Sequence, residues 1–119
     1  LPFPQRLLLV GKEVERIAQK HKPDAVAIEK LYFNTNQKTA TMVSEVRGAI
    51  LFIAGSNNLP IFEYTPQKIK AAITGYGKGG KEQVTRMVEH LITIEKEIQY
   101  DDEYDAIAVG LTCLAIERV

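Results

Sequence analysis

The run Ala25-Val26-Ala27-Ile28, closed by Glu29, limits the folds open to this chain more than any other stretch. A short apolar run of this length suits a strand buried on both faces. The run then places a carboxylate where the strand ends. A charge there costs free energy unless it is paired, solvated or holding a metal. In open α/β sheets, ligands collect beyond the carboxyl ends of the strands. Glu29 is therefore the first candidate site residue, with a solvated or salt-bridged carboxylate as the ordinary alternative.

Helix and strand signals alternate around this run. Leu1 to Pro4 reads as an extended lead-in, because two prolines in four residues oppose a helix. Leu7, Val10, Val14 and Ile17 recur at helical spacing and predict an amphipathic helix to about Lys20, ended by His21-Lys22-Pro23. His21 reads as a helix-end group. Val43, Val46, Ile50 and Ile53 predict a helix over 37–54, ending near Gly55. Its second half is apolar nearly all the way round, which implies burial on more than one side, within the fold or against a partner subunit. Arg47 interrupts it and needs water, an acid or a phosphate. Asn57-Asn58 reads as a turn before a strand over 59–64. Thr65-Pro66 then caps a short helix carrying Lys68 and Lys70. A glycine-rich loop over 75–80 leads into a helix over 81–91, residues 94–100 connect, and Asp102 starts a last helix to about Glu117.

With 119 residues, the chain is one domain at most. No apolar run is long enough to span a membrane, no signal peptide is visible, and no membrane partner is expected. Cys113 is the only cysteine, which excludes a disulfide framework or a cysteine-rich zinc site within one chain. A reducing, cytoplasmic setting fits. The formal net charge is zero, yet the charge is segregated. Lys68, Lys70, Lys78, Lys81 and Arg86 stand against Glu82 alone, whereas Glu95, Glu97, Asp101, Asp102, Glu103 and Asp105 stand against Lys96 alone. That pattern suits a polyanion held beside bound cations, and two solvated faces would look the same.

Two patterns carry chemistry. The glycine loop fits Gly-x-Gly-x-x-Gly at Gly75, Gly77 and Gly80, but it follows a helix where a dinucleotide site needs a strand. It also fits the start of a Walker-type loop, but Glu82 stands where Ser or Thr must hold magnesium. The remaining reading is a joint whose free N–H groups at Gly79-Gly80, with Lys81 beside them, suit an anion such as a DNA phosphate. Lys70 and Lys81 have few acidic neighbours in sequence, so both ammonium groups are expected to be uncommitted to salt bridges. The second pattern is Asp101, Asp102 and Asp105. Asp102 and Asp105 share a helix face and can converge on one point, although acids in a first turn also stabilise a helix through its dipole. Joined with Glu29 they make a hard-oxygen set suited to magnesium or manganese.

Ala27-Ile28-Glu29 with Leu31-Tyr32-Phe33, Val46-Arg47-Gly48, Ile61-Phe62-Glu63-Tyr64, Ile69-Lys70, Gly75-Tyr76-Gly77, Lys81-Glu82-Gln83-Val84 and the run from Asp102 to Ala108 resemble, in order, the RuvC family of bacterial Holliday junction resolvases. The resemblance covers nearly the whole chain. It implies an α/β, ribonuclease H-like fold and an endonuclease that nicks two strands of a four-way DNA junction by metal-assisted hydrolysis, in recombination and repair. It implies two Mg2+ ions per site, with Mn2+ as substitute, on Glu29, Asp102 and Asp105. Lys70 and Lys81 would act near the scissile phosphate. DNA contacts are expected from Tyr32, Asn36, Arg47, Lys68 and Lys78. The helix over 37–54 would form a homodimer, and branch-migration helicases are expected partners.

One departure is at the front. The family's fourth acid sits on a first strand well before the Glu29 equivalent, and here 28 residues precede Glu29. The first strand and following hairpin are expected to be absent, leaving a partial mixed sheet flanked by helices in a single truncated domain. Without that strand, the Glu29 strand would keep an open edge. A non-catalytic dimeric junction-binding module is the alternative reading.

Overall fold

The computed structural model describes residues 1–30, 37–75 and 80–117. Its element order is α1 (Phe3–His21), β1 (Val26–Glu29), α2 (Gln37–Ser56), β2 (Ile61–Tyr64), α3 (Pro66–Thr74), α4 (Lys81–Leu91) and α5 (Asp101–Glu117). The chain divides into two compact units. One is built on α1 and α2, the other on most of β1 and β2 together with α3, α4 and α5.

In the first unit, α1 begins at Phe3, earlier than the two prolines predict. Pro2 is its N-cap, accepting the N–H groups of Gln5 and Arg6 (both 3.1 Å), and Pro4 falls in the first turn. Backbone N–H groups there have no intrahelical partner to lose, so proline is tolerated. The half-buried stripe of α1 runs through Leu7, Gly11, Val14 and Ala18, whereas Val10 and Ile17 are exposed. The predicted stripe is thus rotated. Gly11 turns toward α2, where an added Cβ would stand 3.6 Å from the Ile53 Cδ1. Asn57 donates from Nδ2 to Glu15 Oε2 (2.9 Å), tying the end of α2 to α1.

The apolar half of α2 is not buried all round. Ala54 is buried, but Phe52 is 76% exposed. Gly55 lies inside the helix, and the left-handed residue after it is Asn58, at φ 58°. Its short polar side chain tolerates that conformation, and the Leu59 N–H reaches back to the Ala54 carbonyl (2.9 Å).

The strands pair in parallel: Val26 N–H bonds Pro60 O (2.9 Å) and Lys30 N–H bonds Tyr64 O (2.8 Å). Among the described residues the sheet has these two strands only, so the other edge of β1 has no described partner. The core of the second unit comes from Tyr64, Ile69, Ile73, Val84, Val88, Ala108, Val109 and Cys113. Ile69 and Ile73 on α3, Val84 and Val88 on α4, and Val109 and Cys113 on α5 are each four residues apart, the spacing that stacks side chains on one helical face. Thr112 is fully buried, and its hydroxyl donates to the Ala108 carbonyl (2.8 Å).

Val88 is 0% exposed, whereas Leu91, on the same helix, is 52% exposed. Val88→Ala should therefore lower the unfolding free energy by about 2 kcal/mol, from lost burial and a residual cavity. Leu91→Ala should cost less than about 1 kcal/mol. Urea denaturation of both variants checks the ranking.

Candidate active site

The second unit contains an open pocket of about 280 Å3 lined by Glu29, Pro66, Ile69, Lys70, Lys81, Val84, Asp105 and Ala108. Each polar side chain reaches it from a different element. Glu29 closes β1. Lys70 follows the buried Ile69 on α3, whose start is fixed by Thr65: its hydroxyl accepts the Lys68 N–H (3.1 Å), and Pro66 supplies the first helical residue. Lys81 opens α4. Asp105 stands three residues before the buried Ala108 on α5, so the face that packs inward also aims Asp105 at the pocket.

Electrostatics set the character of the site. Glu29 is half-buried, and burial pushes its carboxyl above the ordinary glutamate value of 4.5. The Asp105 charge pushes it further in the same direction, while Lys70 and Lys81 pull it back. Lys81 differs from the expectation of an uncommitted ammonium: its Nζ lies 3.4 Å from Asp105 Oδ2 and 4.0 Å from Asp101 Oδ2. Asp101 and Asp105 are four apart on α5 and so bracket one cation. That i, i+4 spacing was visible in the sequence, but nothing local to it names a lysine on α4 as the partner.

Asp102 does not join the pocket lining; it is exposed on the first turn of α5. Helix α5 starts at Asp101, one residue before the predicted start, and Lys81 engages Asp101 with Asp105 instead. Among the described residues, no three His, Cys, Asp or Glu side chains group so as to hold a metal ion. The convergence expected of Glu29, Asp102 and Asp105 is thus limited to Glu29 and Asp105. This pair still suits a hard divalent cation: two carboxylates from separate elements face one pocket, and one of them is under-compensated.

The anion cradle expected at Gly79-Gly80 also differs. The Gly80 N–H is already donated to Gln83 Oε1 (3.0 Å), one half of a capping box, and Gly79 lies outside the described residues. Lys68 is exposed on α3 and does not line the pocket, and Arg47 is half-buried on α2. Tyr32, Asn36 and Lys78 lie outside the described residues. Sequence reasoning also missed Tyr64. Its buried hydroxyl donates to Glu117 Oε2 (2.7 Å), tying β2 to the end of α5. Burial, Glu117 and Cys113 together push its proton affinity up.

A parallel pair of strands with a carboxylate at a strand end, and an α5 acid and two lysines in the same pocket, defines an α/β protein with a mixed acid-and-lysine site at the end of β1. The family profile described as "Crossover junction endodeoxyribonuclease RuvC" matches residues 2–113. A protein of that name from Alkaliphilus oremlandii is 44% identical over 108 residues, covering 91% of this chain and 66% of its own length. Another, from Thermosipho melanesiensis, is 44% identical over 117 residues, covering 98% of this chain and 74% of its own. Thermus thermophilus RuvC superposes with a TM-score of 0.89 at 28% identity, over 99% of this chain and 71% of that one. The same protein in complex with a Holliday junction substrate gives 0.92. This chain belongs to the RuvC family and has its ribonuclease H-like fold. It spans about two thirds of the length of the first curated relatives, 66% and 67%.

A carboxyl raised in the folded state binds its proton more tightly folded than unfolded. Its stabilising contribution is fully present below the ordinary value of 4.5 and is lost as pH rises through the raised folded value. Glu29→Gln should therefore be more stable than the parent at neutral pH, with the difference shrinking as pH falls toward that ordinary value. Urea denaturation across pH checks this, and a pH-independent difference would contradict it.

Proposed function

We propose that this chain is part of a structure-selective endonuclease that cleaves four-way DNA junctions in recombination and repair. The observation that carries the reading is the shared pocket of Glu29, Asp105, Lys70 and Lys81, found in a chain of the RuvC family. Glu29 and Asp105 would hold Mg2+, or Mn2+ in its place; two ions per site with Asp102 as a further ligand, as the family implies, would require Asp102 to turn in from its exposed position on α5. Bound ions would activate water and stabilise charge on the leaving oxygen. Lys70 would neutralise the phosphate as its charge rises, which favours the transition state because the ammonium is fixed in advance. Lys81 would do the same once clear of Asp105. Hydrolysis then breaks one P–O bond in each of two strands.

The surrounding assignments follow the same reading. Both compact units would belong to one partial nuclease domain. Phe52, 76% exposed on the apolar half of α2, supports a homodimer through that helix, since large exposed apolar groups favour interfaces. Tyr32, Asn36, Arg47, Lys68 and Lys78 are proposed DNA contacts, and a branch-migration helicase is a proposed partner. Among the described residues no helix is long and apolar enough to cross a membrane; a cytoplasmic site of action is part of the proposal. A non-catalytic junction-binding module draws on one observation, that Lys81 spans Asp105 and Asp101.

Glu29→Gln in the intact protein separates the two. The nuclease reading predicts single-turnover junction cleavage lowered at least about a hundredfold, because a cation ligand is lost. Junction affinity should stay near the parent value in a gel-shift titration with Ca2+. A parent protein that binds junctions without cutting them in Mg2+ would support the module instead.

A further inference from the structure

We propose that Lys81 is the resident counter-cation of the acidic pocket, and that it leaves Asp105 and Asp101 for DNA phosphate when a divalent cation takes the carboxylates. The inference rests on the reading that the pocket takes such a cation. It adds that the cation must displace a lysine, and that the displaced lysine becomes a substrate contact.

The geometry makes Asp105 the shared atom of this exchange. Its Oδ2 accepts Lys81 Nζ at 3.4 Å, and the same side chain lines the pocket with Glu29. An ammonium and a divalent cation placed within a few ångströms of one oxygen repel each other, by roughly 1 kcal/mol per unit charge pair in water and more where solvent is thinned. Each therefore weakens the other's hold on that oxygen. Lys81 is also easy to move. Its side chain is 58% exposed, and its partners Asp101 and Asp105 are 75% and 39% exposed. Ion pairs of that exposure contribute little, so exchange is reversible. As the first residue of α4, Lys81 has its Cα fixed by the helix, while its four-carbon stem leaves the ammonium free to swing.

Among the described residues, the Arg16–Glu13 ion pair uses no side chain of this pocket. Lys96 pairs with Glu103 at 2.7 Å, and neither lines the pocket. Lys70 lines it and influences Glu29 through its charge, but among the described residues it is Lys81 that pairs with the pocket's Asp105, and with Asp101 beside it. Cation and phosphate binding therefore promote each other: the ion frees the ammonium, and phosphate holds it away from the carboxylates. Such coupling is reciprocal by thermodynamic necessity.

Mn2+ binding to the intact protein without DNA, followed by electron paramagnetic resonance, tests the exchange without any cleavage readout. Lys81→Met should bind Mn2+ about two- to fivefold more tightly than the parent, the factor a pair of this exposure corresponds to. Lys81→Arg retains a competing cation and should stay near the parent. Arg86→Met, which removes a like charge from the exposed side of the same helix, should do so too. Equal parent and Lys81→Met affinities overturn the exchange, as does an equal gain in Arg86→Met or Lys81→Arg. Absence of Mn2+ binding in every protein, parent included, overturns the metal-site reading as well, so the two failures are distinct.

Discussion

A half-buried carboxylate facing a second carboxylate is unfavourable until a cation answers both, and the second unit is arranged around that problem. Glu29 loses solvent at the end of β1 and feels the charge of Asp105 across the pocket. A continuous set of contacts holds it there. The Lys30 N–H, next to Glu29, bonds the Tyr64 carbonyl (2.8 Å), and the Tyr64 hydroxyl bonds Glu117 (2.7 Å). Glu117 closes the helix that carries Asp105, and the buried residues Ala108, Val109, Thr112 and Cys113 pin the turns between them. The two acids are thus fixed by backbone pairing and core packing, whereas the answering charges ride on long, mobile lysines. Fixed anions with adjustable cations would suit the proposed exchange of a metal ion and phosphate at this site.

Much of this was legible in the sequence because it depends on local rules. The apolar run ending in Glu29 gives a strand of the right length, and Thr65-Pro66 gives a helix start with its cap in place. The ordered motifs from Ala27 to Ala108 give the RuvC family, which the comparisons bear out. The shifts at helix ends have equally local causes: proline fits a first turn, and Asn58 replaces glycine as the left-handed residue after α2.

What the sequence did not disclose depends on contacts between elements. Lys81 is poor in acidic neighbours along the chain, yet it meets Asp101 and Asp105 twenty or more residues away in sequence. Counting local charges cannot find such a partner, because pairing is decided by how α4 packs on α5. Gly80 is a local exception, since its N–H is taken by Gln83 within one turn, a capping pair the spacing itself offers. Asp102 shares a helix face with Asp105 by spacing, but how α5 packs decides which acid lines the pocket, and Asp102 is left exposed. For α1, both Leu7-Gly11-Val14-Ala18 and Leu7-Val10-Val14-Ile17 satisfy helical spacing, and a glycine carries no hydrophobic weight in a pattern. Only the approach of Ile53 to Gly11 reveals which stripe faces α2.

The central claim is that Glu29 and Asp105 form one cation site at the end of β1. Anomalous diffraction from crystals of the intact protein grown with Mn2+ tests it most directly. A peak is expected between these two side chains, with carboxylate oxygens at about 2.0–2.6 Å from the ion and the Lys81 ammonium moved off Asp105. A Mn2+ peak elsewhere with this pocket empty at saturating Mn2+, or one bound there by neither Glu29 nor Asp105, would contradict it.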